Sequence, residues 1–353
     1  MTAEELLEIA YKEKASDLHL IVGVPPILRI EGLIISVSNE EPLTAERSKD
    51  LVFSLLAEEQ KETFLVNKEI DFSVTYQDLA RFRVNAYYER GHISASLRLI
   101  PNKIPTIDEL MLPSICHEFA KLKQGFVLIT GPTGHGKSTT LAAIIQEVNE
   151  TRREHIVTIE DPIEYVHPHS KSIITQRELR ADTHSWEIAL RSVLREDPNI
   201  VLIGEMRDYE TISAALTIAE TGHLVFATLH TNSAAQTIDR IVDVFPPHQQ
   251  QQVKTQLSFT LEAILSQRLV PSLEKRRIVA SEILIANPAV RNSIREGQTH
   301  LIDNVIQTSA ELGMLSLEND LARLVKEGKI SYEQAKAFAI RPEELTRRIG
   351  RVR

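Results

Sequence analysis

Residues 125–140 read GFVLITGPTGHGKSTT: an apolar run breaks at Gly131 into a glycine-rich turn that ends in Lys137-Ser138-Thr139-Thr140. The pattern G-x-x-x-x-G-K-[ST], placed after a strand and at the opening of a helix, is a phosphate cradle. Its chemistry fixes the residue types. Gly134 and Gly136 let the backbone N–H groups of the loop, from Thr133 through His135 to Thr139, converge on phosphate. The helix start adds its positive end, Lys137 reaches the outer phosphates, and the Ser138 hydroxyl is the expected Mg²⁺ ligand. For His135 only the backbone N–H has a use in such a cradle, so its side chain is expected to point to solvent from the loop tip.

Working outward, FVLIT is the first of four short apolar runs. HIVTI (155–159), NIVLIG (199–204) and LVFATL (224–229) follow, separated by helical patterns. Strands buried on both faces of a parallel sheet read this way, which makes this part of the chain α/β. Beyond Pro246-Pro247 the chain is expected to be mostly helical, apart from one strand candidate, RIVASEILI. In such sheets the chemistry collects at the strand ends. Glu205 closes NIVLIGE, and Glu160 and Asp161 close HIVTIED. Glu205 is the candidate catalytic carboxylate, although an acid here also suits the start of the next helix. Glu160 is a candidate for positioning water or supporting a metal, and Asp161, before Pro162, equally suits a turn. His230 ends the fourth run and is placed to sense a terminal phosphate; His223 begins it, too far away on an extended strand to share a metal with His230. His167 and His169 have chelating spacing but no third ligand nearby, and are expected to be exposed loop histidines.

Upstream, residues 1–100 read as a small α+β domain. Thr2 and Glu5 have the spacing of a capping box at the first helix. Three period-two runs between Glu69 and Ile100 then predict an antiparallel meander with one apolar face. The other face carries Arg81, Arg83 and Arg98. The proline-punctuated stretch 101–113 is the expected linker, and 114–353 the second domain.

Composition narrows the function classes. With 40 basic and 49 acidic side chains the net charge is −9, which weighs against a nucleic-acid partner. A single cysteine, Cys116, excludes an internal disulfide and a four-cysteine zinc site, and it is expected to be a buried, inert thiol. The acidic, helical N-terminus is unlike a signal peptide, so a cytoplasmic protein is expected, peripheral to any membrane it serves.

Taken together, GPTGHGKSTT, VTIEDPIEYVH, LREDPNIVLIGEMRD and TGHLVFATLHTNSAAQTIDRI resemble the Walker A, Asp-box, Walker B and His-box motifs of the secretion and pilus ATPase superfamily, and the resemblance spans essentially the whole chain. It implies a PAS-like N-terminal domain, a RecA-like ATPase domain with a helical C-terminal tail, and a homohexameric ring using ATP and Mg²⁺. It further implies Glu205 as catalytic base with Glu160 as its partner, His223 and His230 as links between nucleotide state and subunit contacts, and Arg81, Arg83 and Arg98 as residues reaching the nucleotide. Assembly and type II secretion members usually carry a tetracysteine insertion and extra N-terminal sequence, so a chain with one cysteine is more similar to the type IV pilus retraction branch. The partners this implies are an inner-membrane pilus platform protein at the cytoplasmic face and, in some systems, a second retraction ATPase. His135, where serine is commoner, and Asn199, where aspartate is commoner, depart from the pattern.

Overall fold

The computed structural model describes residues 1–77, 79–100, 103–274 and 276–350; Pro101 and Asn102 of the expected linker lie outside these ranges. The chain divides into two units, Met1–Lys103 and Ile104–Arg353.

The first unit is a PAS-like α+β fold. Its strands β1 (Asp17–Leu20), β2 (Ile27–Ile30), β3 (Leu33–Ser36), β4 (Glu69–Tyr76), β5 (Ala80–Glu89) and β6 (His92–Ile100) pair in the order β3-β2-β1-β6-β5-β4. Every pairing is antiparallel. The alternation read from the sequence is the cause: Phe82, Val84 and Ala86 on β5 and Ile93, Ala95 and Leu97 on β6 are buried against Leu6, Val52 and Phe64 of the helices. The first helix is capped as its sequence predicts, with Thr2 Oγ1 accepting the Glu5 N–H and the Glu5 carboxylate accepting that of Thr2. Strand β3, which the sequence reading did not anticipate, is an edge strand exposed throughout.

The second unit is RecA-like, with strands β7 (Gly125–Thr130), β8 (His155–Glu160), β9 (Ile173–Glu178), β10 (Ile200–Ile203), β11 (Leu224–Leu229), β12 (Leu261–Pro271) and β13 (Arg277–Ile285) in the order β13-β12-β7-β11-β10-β8-β9. All neighbours run parallel except β12 and β13. Both faces are covered. Phe126 and Leu128 pack under helices 186–193, 209–220 and 234–243, while Val127 and Ile129 pack under the P-loop helix Lys137–Thr151 and helix Ile115–Lys121. Ile107 and Leu112, from the stretch expected as linker, are buried in this core. Cys116 is fully buried, and burial pushes its thiol up to about 12, so it is inert as expected.

The expectation of a mostly helical chain with one strand after Pro247 is corrected by a second strand, β12. The helix Pro247–Thr260 passes into this eleven-residue strand at Leu261 with no turn between them. LEAILSQRLVP carries apolar residues at both strand and helix spacings, and its pairing with β7 on one side and β13 on the other decides for strand.

Beyond β13 the tail helices 317–326, 332–338 and 342–350 pack on Val270, Ile278 and Ala280. Buried acids tie them down: Asp320 Oδ2 accepts the Ser281 N–H at 2.8 Å, and Glu318 Oε1 accepts that of Arg341 at 2.9 Å. Glu282, 1% exposed on β13, accepts the Ala234 N–H at 2.8 Å and so caps the helix that follows His230. Burial pushes the Glu282 carboxyl from its ordinary 4.5 up to about 7; Asp303 and Glu318 push the same way, against Ala234 N–H and Arg341. The unfolded chain loses this proton near 4.5 and the folded chain near 7, so its contribution to stability is lost as pH rises through that window. Glu282→Gln removes the titration. The variant should therefore gain on wild type by about 3 kcal/mol between pH 5 and pH 8, read as a growing difference in thermal midpoint.

Candidate functional site

The strand order β7-β11-β10-β8 sets the loop after β7, His230 after β11, Glu205 just beyond β10 and Glu160 at the end of β8 side by side along the C-terminal edge of the sheet. Strands about 4.8 Å apart bring these groups within reach of one another. Gly136, in the left-handed region at φ 81°, caps the helix that Lys137 and Ser138 open. Lys137 is buried, and its ammonium donates to the carbonyls of Gly131 at 2.9 Å and Pro132 at 3.1 Å. Burial lowers its pKa, and the nearby carboxylates of Glu205 and Glu164 act against that shift.

Glu205 is the hub of the polar network. His230 Nε2 lies 3.1 Å from Glu205 Oε1, and His230 Nδ1 lies 2.9 Å from the Thr133 hydroxyl, so one imidazole spans loop and carboxylate. Arg207 grips the same carboxylate with two contacts, Nε to Oε1 and Nη2 to Oε2, both at 2.8 Å. Burial alone would raise the Glu205 pKa; the Arg207 hydrogen bond and the charges of His230, Arg207 and Lys137 outweigh it and leave the carboxyl below its ordinary value. Glu160 is the opposite case. Burial lifts it to about 7 despite hydrogen bonds from Thr158 Oγ1 at 2.7 Å and Gln176 Nε2 at 3.3 Å. The two acids are thus shifted in opposite directions, Glu205 toward its ionised form and Glu160 up to about 7.

Gly204 sits where β10 and β8 approach closely. Gly204 donates to Ile159 O at 2.8 Å and accepts the Thr228 hydroxyl at 2.5 Å, and a Cβ here would stand 3.2 Å from the Cα of Glu160. A larger residue here would require β8 to give by a few tenths of an ångström at Glu160. Gly131 is far more tightly constrained, since a Cβ on it would meet Gln267 O at 2.3 Å.

Two expectations are corrected. His135 does not point to solvent: its Nδ1 accepts the Leu269 N–H at 3.0 Å and its ring stands 6.3 Å from that of Phe338. His167 is buried, with Nδ1 3.1 Å from Gln146 Oε1, and burial lowers its pKa to about 4. Among the described residues no group of three or more His, Cys, Asp and Glu is placed to hold a metal.

His223 lies at the far end of β11 from His230, with Nδ1 3.0 Å from Thr221 Oγ1 and 3.1 Å from Ile218 O; it is outside this cluster. Thr139 Oγ1 meets Tyr165 OH at 3.0 Å. The arginines belong to the first unit. Arg81 donates to Ser73 Oγ at 2.6 Å, Arg98 to Asp17 Oδ1 at 3.0 Å, and Arg83 lies opposite Arg98 in register. Sequence reasoning missed Arg207 and Glu164, although both lie inside quoted motifs, at GEMRD and EDPIEY.

Residues 69–339 match the Type II/IV secretion system protein family. The chain is 46% identical over 343 residues to the type IV pilus retraction ATPase PilT of Pseudomonas aeruginosa, covering 97% of this chain and 99% of that one. It is 47% identical over 322 residues to the twitching motility protein of Neisseria gonorrhoeae, covering 91% and 86%. The crystal structure of the pilus retraction motor PilT with bound ADP superposes with a TM-score of 0.92 at 45% identity, over 98% of this chain and 99% of that one. A cradle, a strand-end acid and their histidine bridge, in a chain similar over nearly its whole length to PilT, leave one assignment: the protein belongs to the Type II/IV secretion system protein family.

Proposed function

We propose that this protein is an ATP-hydrolysing motor of type IV pilus retraction, working as a homohexamer at the cytoplasmic face of the inner membrane against a pilus platform protein, alone or beside a second retraction ATPase. The observation that carries the reading is the meeting of the phosphate loop with Glu205 through His230, in a chain so similar to an ADP-binding retraction motor.

The residues divide the work. The backbone N–H groups of Thr133–Thr139 and the Lys137 ammonium hold the phosphates. The Ser138 hydroxyl and the Glu160 carboxylate would supply hard oxygen donors of the kind that suit Mg²⁺, which when bound would neutralise charge on the terminal phosphates. Glu205 accepts the proton of the attacking water. For that it must exchange Arg207 for the water. The Arg207 side chain is 74% exposed, so its ion pair is cheap to open. Glu160 steadies the water from β8. His230, which bonds the loop through Thr133, reports whether the terminal phosphate is present. Arg81, Arg83 and Arg98 reach the nucleotide of a neighbouring copy, and His223 acts at a subunit contact. The turnover moves the two units, and the ring passes that movement to the pilus base.

The test pairs chemistry with physiology. Purified protein should release phosphate from ATP, and its mass in solution should be that of six copies. A strain lacking it should keep surface pili and lose twitching, recovered by the wild-type gene. Cells without pili would make this an assembly motor, and absence of turnover would make it a nucleotide-binding accessory.

A further inference from the structure

The phosphate chemistry makes no use of the His135 side chain, yet it is among the most tethered groups of the loop. Its Nδ1 accepts the Leu269 N–H at 3.0 Å, and its carbonyl accepts Gln267 Nε2 at 2.6 Å. The same Gln267 carboxamide accepts the Thr140 hydroxyl through Oε1 at 2.9 Å, so one β12 side chain clasps the loop and the first turn of its helix. Phe338 faces the imidazole, and its carbonyl is fixed by Arg268 Nη1 at 2.8 Å. Arg268, Leu269 and Gln267 are consecutive on β12, and Phe338 ends a helix of the tail.

We propose that His135 is a positioning residue: its Nδ1 pins the tip of the phosphate loop to β12 and, through Phe338, to the helical tail, and the pin sets the affinity of the loop for nucleotide phosphates. An acceptor at Nδ1 requires the neutral ring with its proton on Nε2. The surroundings favour that form: burial disfavours the imidazolium, and the charges facing it, Arg268 from β12, Lys137 from the loop and Arg277 from β13, are all cations. A loop already held in its binding shape spends less entropy when phosphate arrives. Neither alanine nor serine carries an acceptor as far from the backbone as Nδ1; asparagine does, with Oδ1 two bonds beyond Cβ.

The inference rests on the nucleotide reading, and two measurements on the full chain separate the failure of one from the failure of the other. The first is independent of nucleotide: amide exchange at Leu269 should be slow in wild type and H135N and faster in H135A. The second is ADP binding, expected to weaken about fivefold in H135A and to return within about twofold of wild type in H135N, with KM for ATP following and kcat unchanged. Equal exchange at Leu269 in all three proteins overturns the pin. H135N binding as weakly as H135A overturns it too, since ring bulk rather than the acceptor would then matter. Faster exchange with unchanged ADP affinity overturns the functional half. Wild-type protein that binds no ADP overturns the nucleotide reading and the affinity clause with it, while the exchange comparison still decides the pin.

Discussion

Replacing Glu205 by Gln should leave ATP bound and stop its hydrolysis, with phosphate release falling at least about 100-fold. The side chain keeps its size, and Gln Oε1 can still accept from His230 Nε2, now 3.1 Å from Glu205 Oε1. What disappears is the capacity to take a proton from water. Binding should survive because the contacts expected for the phosphates come from the loop backbone and Lys137. The measurement is single-turnover phosphate release beside equilibrium binding of ATP. Turnover within a few-fold of wild type would remove Glu205 from the role of base and turn attention to Glu160, whose carboxyl titrates near neutrality.

Lys137→Ala should fail earlier in the cycle. ATP binding is expected to weaken by about 10- to 100-fold, the worth of a charge-assisted hydrogen bond, and turnover at fixed ATP should drop with it. Lys137 is 7% exposed, and its ammonium is occupied by the Gly131 and Pro132 carbonyls, with Glu205 and Glu164 supplying opposite charge. Burial already works against the charged form, so truncation removes a desolvated cation as well as its bonds, and the fold should be retained. Thermal unfolding close to wild type beside lost binding is the expected pair of results. Lost folding would make Lys137 a structural brace, and intact affinity would mean that the backbone amides hold the phosphates unaided.

The elements legible in the sequence were those whose environment is uniform. FVLIT, HIVTI, NIVLIG and LVFATL are buried on both faces, and continuous apolar runs say so without reference to partners. Strand β9, IITQRE, lies at the sheet edge, and its polar half hides it; the same polar residue Gln176 holds Glu160. Strand β12 was hidden because its partners lie more than a hundred residues earlier and just after it. The site divided similarly. The placing of Glu205, Glu160 and His230 along one sheet edge, beside the loop that carries Lys137, was legible because strand-end positions can be read from the apolar runs. The tether of His135 was not, since Leu269 N–H is 134 positions away and carries no side-chain signature. Arg207 and Glu164 were in view but unassigned, because only the turns after β10 and β8 decide that they face the cluster.

The unbroken passage from Thr260 to Leu261 leaves almost no irregular backbone between helix 247–260 and β12. Hinges need a few residues outside regular structure to absorb a change in backbone angles, and here helix 247–260 becomes β12 within one residue. The only slack near the junction is the irregular pairing between Leu261 and Ala263. Farther along, the strand touches the phosphate loop at Gln267 and Leu269. A shift of the loop at Gln267 and Leu269 would therefore meet a strand held on both sides by β7 and β13, with few irregular residues between it and the helix to absorb the change.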